Sequence, residues 1–444
     1  MPTPETIYLV ATICIFVFFA LSFKNLYYGL IAYFGIMMLR IGLHYPLLAK
    51  LRIEMLVGLL VLVAIFTIRT RVFLKLKFQY NAVNKYLFLF FLVMLLSFVQ
   101  AWDYQESWDI VVIEFIKIYF FFIMIMALLE SKQQFRVFLW AFAVFTVILN
   151  YEGIYIYLTG GDTYVFQGVE VSISSKGFAA GHVAAANMQL QGLPIMFYLM
   201  LSEKKIILKL LAGILSLLSI FGIIASGSRG GFVGLIAFTA LVVYYSQHKA
   251  RAFTVAVFVV ILSLPLLSGR YLSWMSSAVS VSDDSAVSRL TGLQNGFEMM
   301  MRRPLLGVGP GCYPLARKAW FGWGLESHNH YGQAMGDLGI PGTVIWAFFI
   351  YYVFKNLSLA KKKFYKAGVT DITLWIVGMQ VALWVRLLEG MFSHSLYIFF
   401  WYMMAALSII ILKISENYVE GSIETEESNG LPQVELTPGT IDWN

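Results

Sequence analysis

The chain has 444 residues, of which 59% are hydrophobic, 16% aromatic and only 13% charged, about half the charged share of an ordinary soluble domain. Apolar runs near the roughly 20 residues needed to cross a bilayer recur from Ile7 almost to Lys413, which excludes a water-soluble globule and predicts a polytopic membrane protein. The net charge of +7 and pI near 9.1 do not mark a nucleic-acid binder, because the basic residues sit in short loops between apolar runs and not in a soluble module.

In chain order, the start MPTPETIYLV lacks a positive leader region, so residues 7–23 read as a retained anchor. Further apolar stretches follow at 26–43, 53–68, 85–101, 109–129, 136–158, 182–201, 206–225, 230–246, 252–267, 338–355, 371–389 and 394–412. One of the short N-terminal stretches, edged by Arg40, Lys50 and Arg52, is a candidate for a re-entrant or interfacial segment. The expectation is an all-α polytopic integral membrane protein of about 12 (12–13) transmembrane helices, with one long external loop containing short helices. Its parts are an N-terminal bundle (1–267), the external loop (268–337), C-terminal transmembrane helices (338–413) and an acidic tail (414–444). The tail carries Glu416, Glu420, Glu424, Glu426, Glu427 and Glu435 and is expected to be disordered and cytoplasmic.

Orientation follows from the loops, since Lys and Arg are retained on the cytoplasmic side. Alternate loops hold Arg69, Arg71, Lys75, Lys77 and Lys85, then Lys132 and Arg136, then Lys204, Lys205 and Lys209, then Lys249 and Arg251, then Lys355, Lys361, Lys362, Lys363 and Lys366. The opposite loops, including WDYQESWD at 102–109 and the turn at 390–393, carry almost none. Residues 268–337 therefore face outward, and a loop of that length is usually functional. Cys14 and Cys312 offer neither a disulfide framework nor a metal-ligand spacing.

The outward loop holds Arg270, Arg289, Arg302, Arg303, Arg317 and Lys318, on the side where positive charge is normally depleted, so an anionic substrate is expected there. Each arginine taken singly also reads as a headgroup contact or as a partner of Asp283, Asp284 or Glu298. Arg229, in SGSRGGFVGL, opens an apolar helix on the same face, where Gly227, Gly230 and Gly231 permit close backbone approach and a helix N-terminus favours an anion. GVGPG at 307–311 lacks the strand, helix and Lys of a phosphate loop and reads as a turn. His328 and His330 lie in ESHNHYGQAMGDLGIPG. An imidazole beside arginines is neutral at neutral pH and able to take a proton from a hydroxyl; two histidines at i and i+2 share no helix face, so zinc is a weak proposal. The charged pairs Glu114–Lys117 and Arg386–Glu389 lie inside apolar runs and either pair structurally or border a substrate cavity, as does Glu152.

Taken in order, SGSRGGFVGL, SRLTGLQNGFEMMMRRPLLGVGPGCY and SHNHYGQAMGDLGIPG, across residues 226–342, resemble the O-antigen ligase and O-antigen polymerase superfamily of bacterial envelope glycosyltransferases. The resemblance implies transfer of a glycan from an undecaprenyl diphosphate carrier to an acceptor hydroxyl on the periplasmic face of the bacterial cytoplasmic membrane, without nucleotide or metal cofactor and with no nucleic-acid partner. It assigns His328 as the essential histidine, Arg229 as an arginine engaging the diphosphate, and Arg289 as a second. Arg302, Arg303, Asn329, His330, Arg386 and Glu389 are the accompanying candidates for substrate binding, among membrane lipids. His330 stands where the family usually has an apolar residue. The acceptor expected first is a lipid A-core sugar, with a carrier-linked glycan (polymerase) or a protein hydroxyl (O-glycosylation ligase) as alternatives. In a different class, a transporter or flippase for a lipid-linked anion would need basic residues along a cavity reaching both sides.

Overall fold

The computed structural model describes residues 1–68, 81–159, 164–166, 169–171, 182–250, 253–254 and 284–428. Among these the chain is helical apart from one antiparallel hairpin, β1 (Tyr164–Phe166) with β2 (Val169–Val171), pairing Tyr164 with Val171.

The N-terminal helices are α1 (Pro4–Leu21), α2 (Tyr27–Leu39), α3 (Pro46–Lys50) and α4 (Ile53–Ile68). α2 is short yet buried almost all round, as a helix apolar on every face must be. Next come α5 (Ala82–Val99), α6 (Tyr104–Trp108) and α7 (Ile116–Leu128), the last two joined through a π-helical segment, Asp109–Phe115. Glu114 and Lys117 fall at this join as a half-exposed pair 3.9 Å apart. The single stretch expected at 136–158 is instead two helices, α8 (Lys132–Leu149) and α9 (Tyr151–Thr159). Asn150 separates them, and Glu152 falls in the first turn of α9.

The central layer is α10 (His182–Ser202), α11 (Ile206–Ala225) and α12 (Arg229–Tyr245). α10 carries Asn187, Gln189 and Gln191, all buried. Gln189 donates to the Thr146 carbonyl at 2.7 Å and accepts from Ser219 at 2.8 Å, meeting the demand that polar groups in an apolar interior be partnered. The expected span at 252–267 lies outside the described residues, Phe253 and Thr254 excepted.

From the long loop expected at 268–337, α13 (Asp284–Arg302) and α14 (Tyr313–Phe321) are described. α15 (His330–Lys366) runs 37 residues, α16 is Thr370–Glu389, and α17 is Phe399–Ser428. At about 1.5 Å per residue α15 would measure roughly 55 Å, more than a bilayer's thickness, and it is broken near its start. Gly339 has φ 64° and ψ −160°; a Cβ there would lie 2.6 Å from the Pro304 carbonyl oxygen, which instead accepts the Ile340 N–H at 2.8 Å. Pro341 then restarts the helix at a position that needs no N–H partner. The tail expected to be disordered from 414 is helical as far as Ser428, and Glu416 pairs with Lys363 at 3.2 Å; residues 429–444 lie outside the described set.

Eight helices among the described residues are long and apolar enough to cross a membrane, and α2, α4 and α12 are shorter apolar helices. The chain is thus a polytopic α-helical membrane protein.

Candidate active site at one end of the bundle

The site is assembled on the turn between α16 and α17. Asn329 caps α15, its Oδ1 accepting the N–H groups of Tyr331 and Gly332 at 3.0 Å each. The Ser327 hydroxyl donates to the Asn329 carbonyl at 2.7 Å. Squeezed between these buried residues, His328 takes a left-handed backbone at φ 46°, an uncommon state for a residue with a side chain that persists where the surroundings over-determine it. Ser327, Asn329 and His330 are buried while His328 is exposed.

The turn meets this segment residue by residue. The Gly390 carbonyl accepts the His330 N–H at 2.6 Å, and the Met391 carbonyl accepts from Asn329 Nδ2 at 3.4 Å. Arg289 stands over the Phe392 ring with its guanidinium carbon 5.7 Å from the centroid. The rings of His394 and His328 have centroids 5.5 Å apart, and Ser395 Oγ lies 3.1 Å from His330 Nδ1.

The start of α12, which carries Arg229, packs against the same turn. Ser228 caps α12, accepting the Gly231 N–H at 3.1 Å, so Arg229 is its first residue. A Cβ on Gly230 would lie 3.2 Å from Phe392 Cβ, one on Gly231 2.7 Å from Ala186 Cβ, and one on Gly234 3.5 Å from Glu389 Oε1. The glycines let the helix start press against both α10 and the turn, as the motif predicts.

α13 is pressed equally close. Gly292 and Gly296, one turn apart, face the Ser327 and Gly332 backbones, where added Cβ atoms would lie 1.9 and 2.2 Å from carbonyl oxygens. Arg289, one turn before Gly292, is thereby brought to His328. Arg317 of α14 is buried and donates to the carbonyls of Glu326 (2.8 Å) and Leu325 (3.4 Å), fixing the strand of chain ahead of His328.

Asp337 bolts these parts together. Its buried carboxylate accepts the N–H groups of Gly311 and Tyr313 at 3.1 Å each and the Tyr397 hydroxyl at 3.0 Å. GVGPG is therefore a structural turn held to α15, as its sequence context predicts.

Although His328 keeps an exposed face, partial desolvation of its imidazole in this recess pushes it down first, and the neighbouring His394, Arg289 and Arg317 push it further, to about 4. His394 is lowered by burial and then by the charge of Arg386. Both rings are neutral at neutral pH, and His328 offers a free nitrogen at a surface lined with guanidinium groups.

Not every expected residue joins this group. Arg302 and Arg303 lie about 20 Å from Arg289 along α13. Arg302 stacks on Trp320 and Phe321 (5.0 and 5.3 Å) and stands 4.0 Å from Glu298, while Arg303 covers Trp102 at 5.5 Å and donates to the Gln100 carbonyl at 3.3 Å. His330 is enclosed, its ring 4.3 Å from that of Trp346. Arg386 and Glu389 form a buried pair at 3.3 Å immediately beneath the turn. Phe392 and His394 were not singled out by the sequence, and Arg317 was named only as one of the six basic residues of the long loop, although SHSLY directly after a helix end is a legible signal for His394.

Residues 214–347 of the chain match a protein-family model described as O-antigen ligase. The matched stretch contains Arg229, Arg289 and His328 and ends before the turn that joins them. No curated protein matches the chain.

Proposed function

We propose, from the premise that this chain belongs to the O-antigen ligase family through residues 214–347, that it transfers a glycan from undecaprenyl diphosphate to an acceptor hydroxyl, a lipid A-core sugar first, on the periplasmic face of the bacterial cytoplasmic membrane. The observation that carries this reading is the meeting of three remote stretches at the α16–α17 turn: Gly230, next to Arg229, against Phe392, Arg289 over the Phe392 ring, and His328 beside His394.

In the proposed reaction His328 takes the proton of the acceptor hydroxyl as its oxygen attacks the anomeric carbon. The bond from that carbon to the diphosphate oxygen breaks on the opposite face, inverting the configuration. Negative charge grows on the departing diphosphate, and Arg229 and Arg289, fixed before the reaction begins, stabilise it there. Because these side chains supply the countercharge, activity is expected to survive chelation of divalent cations.

Helix ends support the orientation. Lys132 pairs with Asp371 at 2.7 Å, Arg136 with Glu203, and Lys363 with Glu416 at 3.2 Å, all at helix ends remote from His328. By the preference of positive charge for the cytoplasm, the site lies outside. Together with the span expected at 252–267, which lies outside the described residues and is needed to bring the chain from Lys249 back to the side of His328, the eight long spans and α2, α4, α10 and α12 give thirteen, within the 12–13 we propose.

The decisive experiment incubates purified protein with a carrier-linked glycan and, separately, a lipid A-core acceptor, a second carrier-linked glycan and an acceptor protein, scoring which gains mass. Gain on lipid A-core is expected. Gain only on the carrier-linked glycan would make the chain a polymerase, and carrier movement across vesicles with no cleavage would make it a transporter.

A further inference from the structure

The turn between α16 and α17 places a second imidazole behind the first, and the matched family region does not include it. We propose that His394 is a positioning residue for His328: a neutral ring that fixes which nitrogen of His328 carries the proton, so that the other faces the acceptor hydroxyl. The inference rests on the reading of His328 as the base.

The geometry argues for a working pair over mere packing. With centroids 5.5 Å apart and planes at 57°, and ring nitrogens roughly 1 Å from each centroid, nitrogens turned toward one another would lie about 3–4 Å apart, within reach of a direct or singly water-bridged hydrogen bond. His328 is held by its capped, left-handed backbone, so only rotation of its ring remains to be fixed. His394 sits between Phe392, against which α12 and Arg289 pack, and Ser395, which engages His330. The ring is thus carried by the stretch that gathers the site.

A histidine base is commonly oriented by a carboxylate, which also stabilises its cation. Here the charged and titratable groups around the pair are Arg289 on α13, Arg317 on α14, Glu326 before His328, His330 on α15, Arg386 and Glu389 on α16, and Arg229 on α12. Glu389 is engaged by Arg386 at 3.3 Å. A carboxylate beside His328 would also compete with the incoming diphosphate for the arginines. A neutral imidazole orients the base and leaves the cations to the substrate.

Two readouts separate this from a structural role and from failure of the functional reading. The first is the pH dependence of His328 carbethoxylation by diethyl pyrocarbonate, followed by peptide mass in the full-length protein. It requires no catalysis. The second is kcat and KM for glycan transfer. His394→Asp should move the His328 midpoint upward by about one pH unit or more. His394→Ala should lower kcat about 10- to 100-fold with KM little changed, and His394→Asn, which keeps a hydrogen-bonding side chain, should recover most of that loss at an unchanged melting temperature. An unmoved midpoint in folded His394→Asp, or His394→Ala and His394→Asn falling equally and in step with melting temperature, would overturn the proposal. A midpoint that moves while His328→Ala retains full transfer would refute the base and not the pairing.

Discussion

At the scale of single residues, the site follows from a division of labour between exposed and enclosed side chains of one chemical type. His328 and His330 are two residues apart, yet one faces a recess of arginines and the other is walled in by Trp346, Trp401 and Ser395. Position in the cap decides this, because the left-handed backbone at His328 turns its side chain away from the face that begins at His330. Removing a fixed electrostatic donor costs about 10²- to 10³-fold and removing a general base about 10²- to 10⁴-fold, so Arg229→Ala should lower kcat/KM at least as much as His328→Ala, measured on purified, folded variants. The base works only when unprotonated, and partial desolvation with the neighbouring His394, Arg289 and Arg317 holds His328 near 4. The acid limb of kcat/KM, which reports free enzyme, should therefore fall near pH 4. Bound diphosphate neutralises the arginines, raises the imidazole's affinity for a proton and should shift the acid limb of kcat toward neutrality. Coincident limbs, or a kcat limb more acidic than that of kcat/KM, would remove this account.

At the scale of elements, close backbone approach matters more than side-chain volume. α13 crosses the start of α15 at Gly292 and Gly296, and Tyr313 donates its hydroxyl to the Gly292 carbonyl at 2.5 Å. Gly296→Ala should force the helices apart at a cost of about 1–3 kcal/mol and carry Arg289 away from His328. The expected readouts are a lower melting temperature in detergent and a fall in transfer larger than that of an Arg302→Ala control. Asp337→Ala would leave two buried N–H groups and the Tyr397 hydroxyl without their acceptor, each costing about 1–3 kcal/mol. The loss should appear as a large melting-temperature drop, and a variant as stable as the parent would show that Asp337 is not the bolt described.

At the scale of the whole molecule, the helices sort their ends. Arg136 and Trp140 both donate to Glu203, and Trp375 donates to Ser202 at 2.8 Å, tying α8, α10 and α16 at one end. The opposite ends of α12, α15 and α16 make the site. A cysteine placed at exposed Trp323 should react with an impermeant maleimide added outside intact spheroplasts, while one at exposed Lys249 should react only after permeabilisation. The reverse pattern would invert the topology and end the periplasmic assignment.

Much of this was legible without coordinates. Apolar content and run length set the chain in a bilayer, because hydrocarbon tolerates little else. The order SGSRGG, then SRLTGL, then SHNHYG picked out the candidate residues Arg229, Arg289 and His328, and the loop composition supplied the expected orientation. What local pattern does not contain is distance between remote segments. Whether Arg302 or Arg317 stands beside His328, whether 136–158 is one helix or two, and that GMFSHS gathers the others are decided by which glycines allow backbones to touch and by where a single buried carboxylate finds its donors. Those are properties of packing between stretches far apart in the chain, and only the folded bundle expresses them.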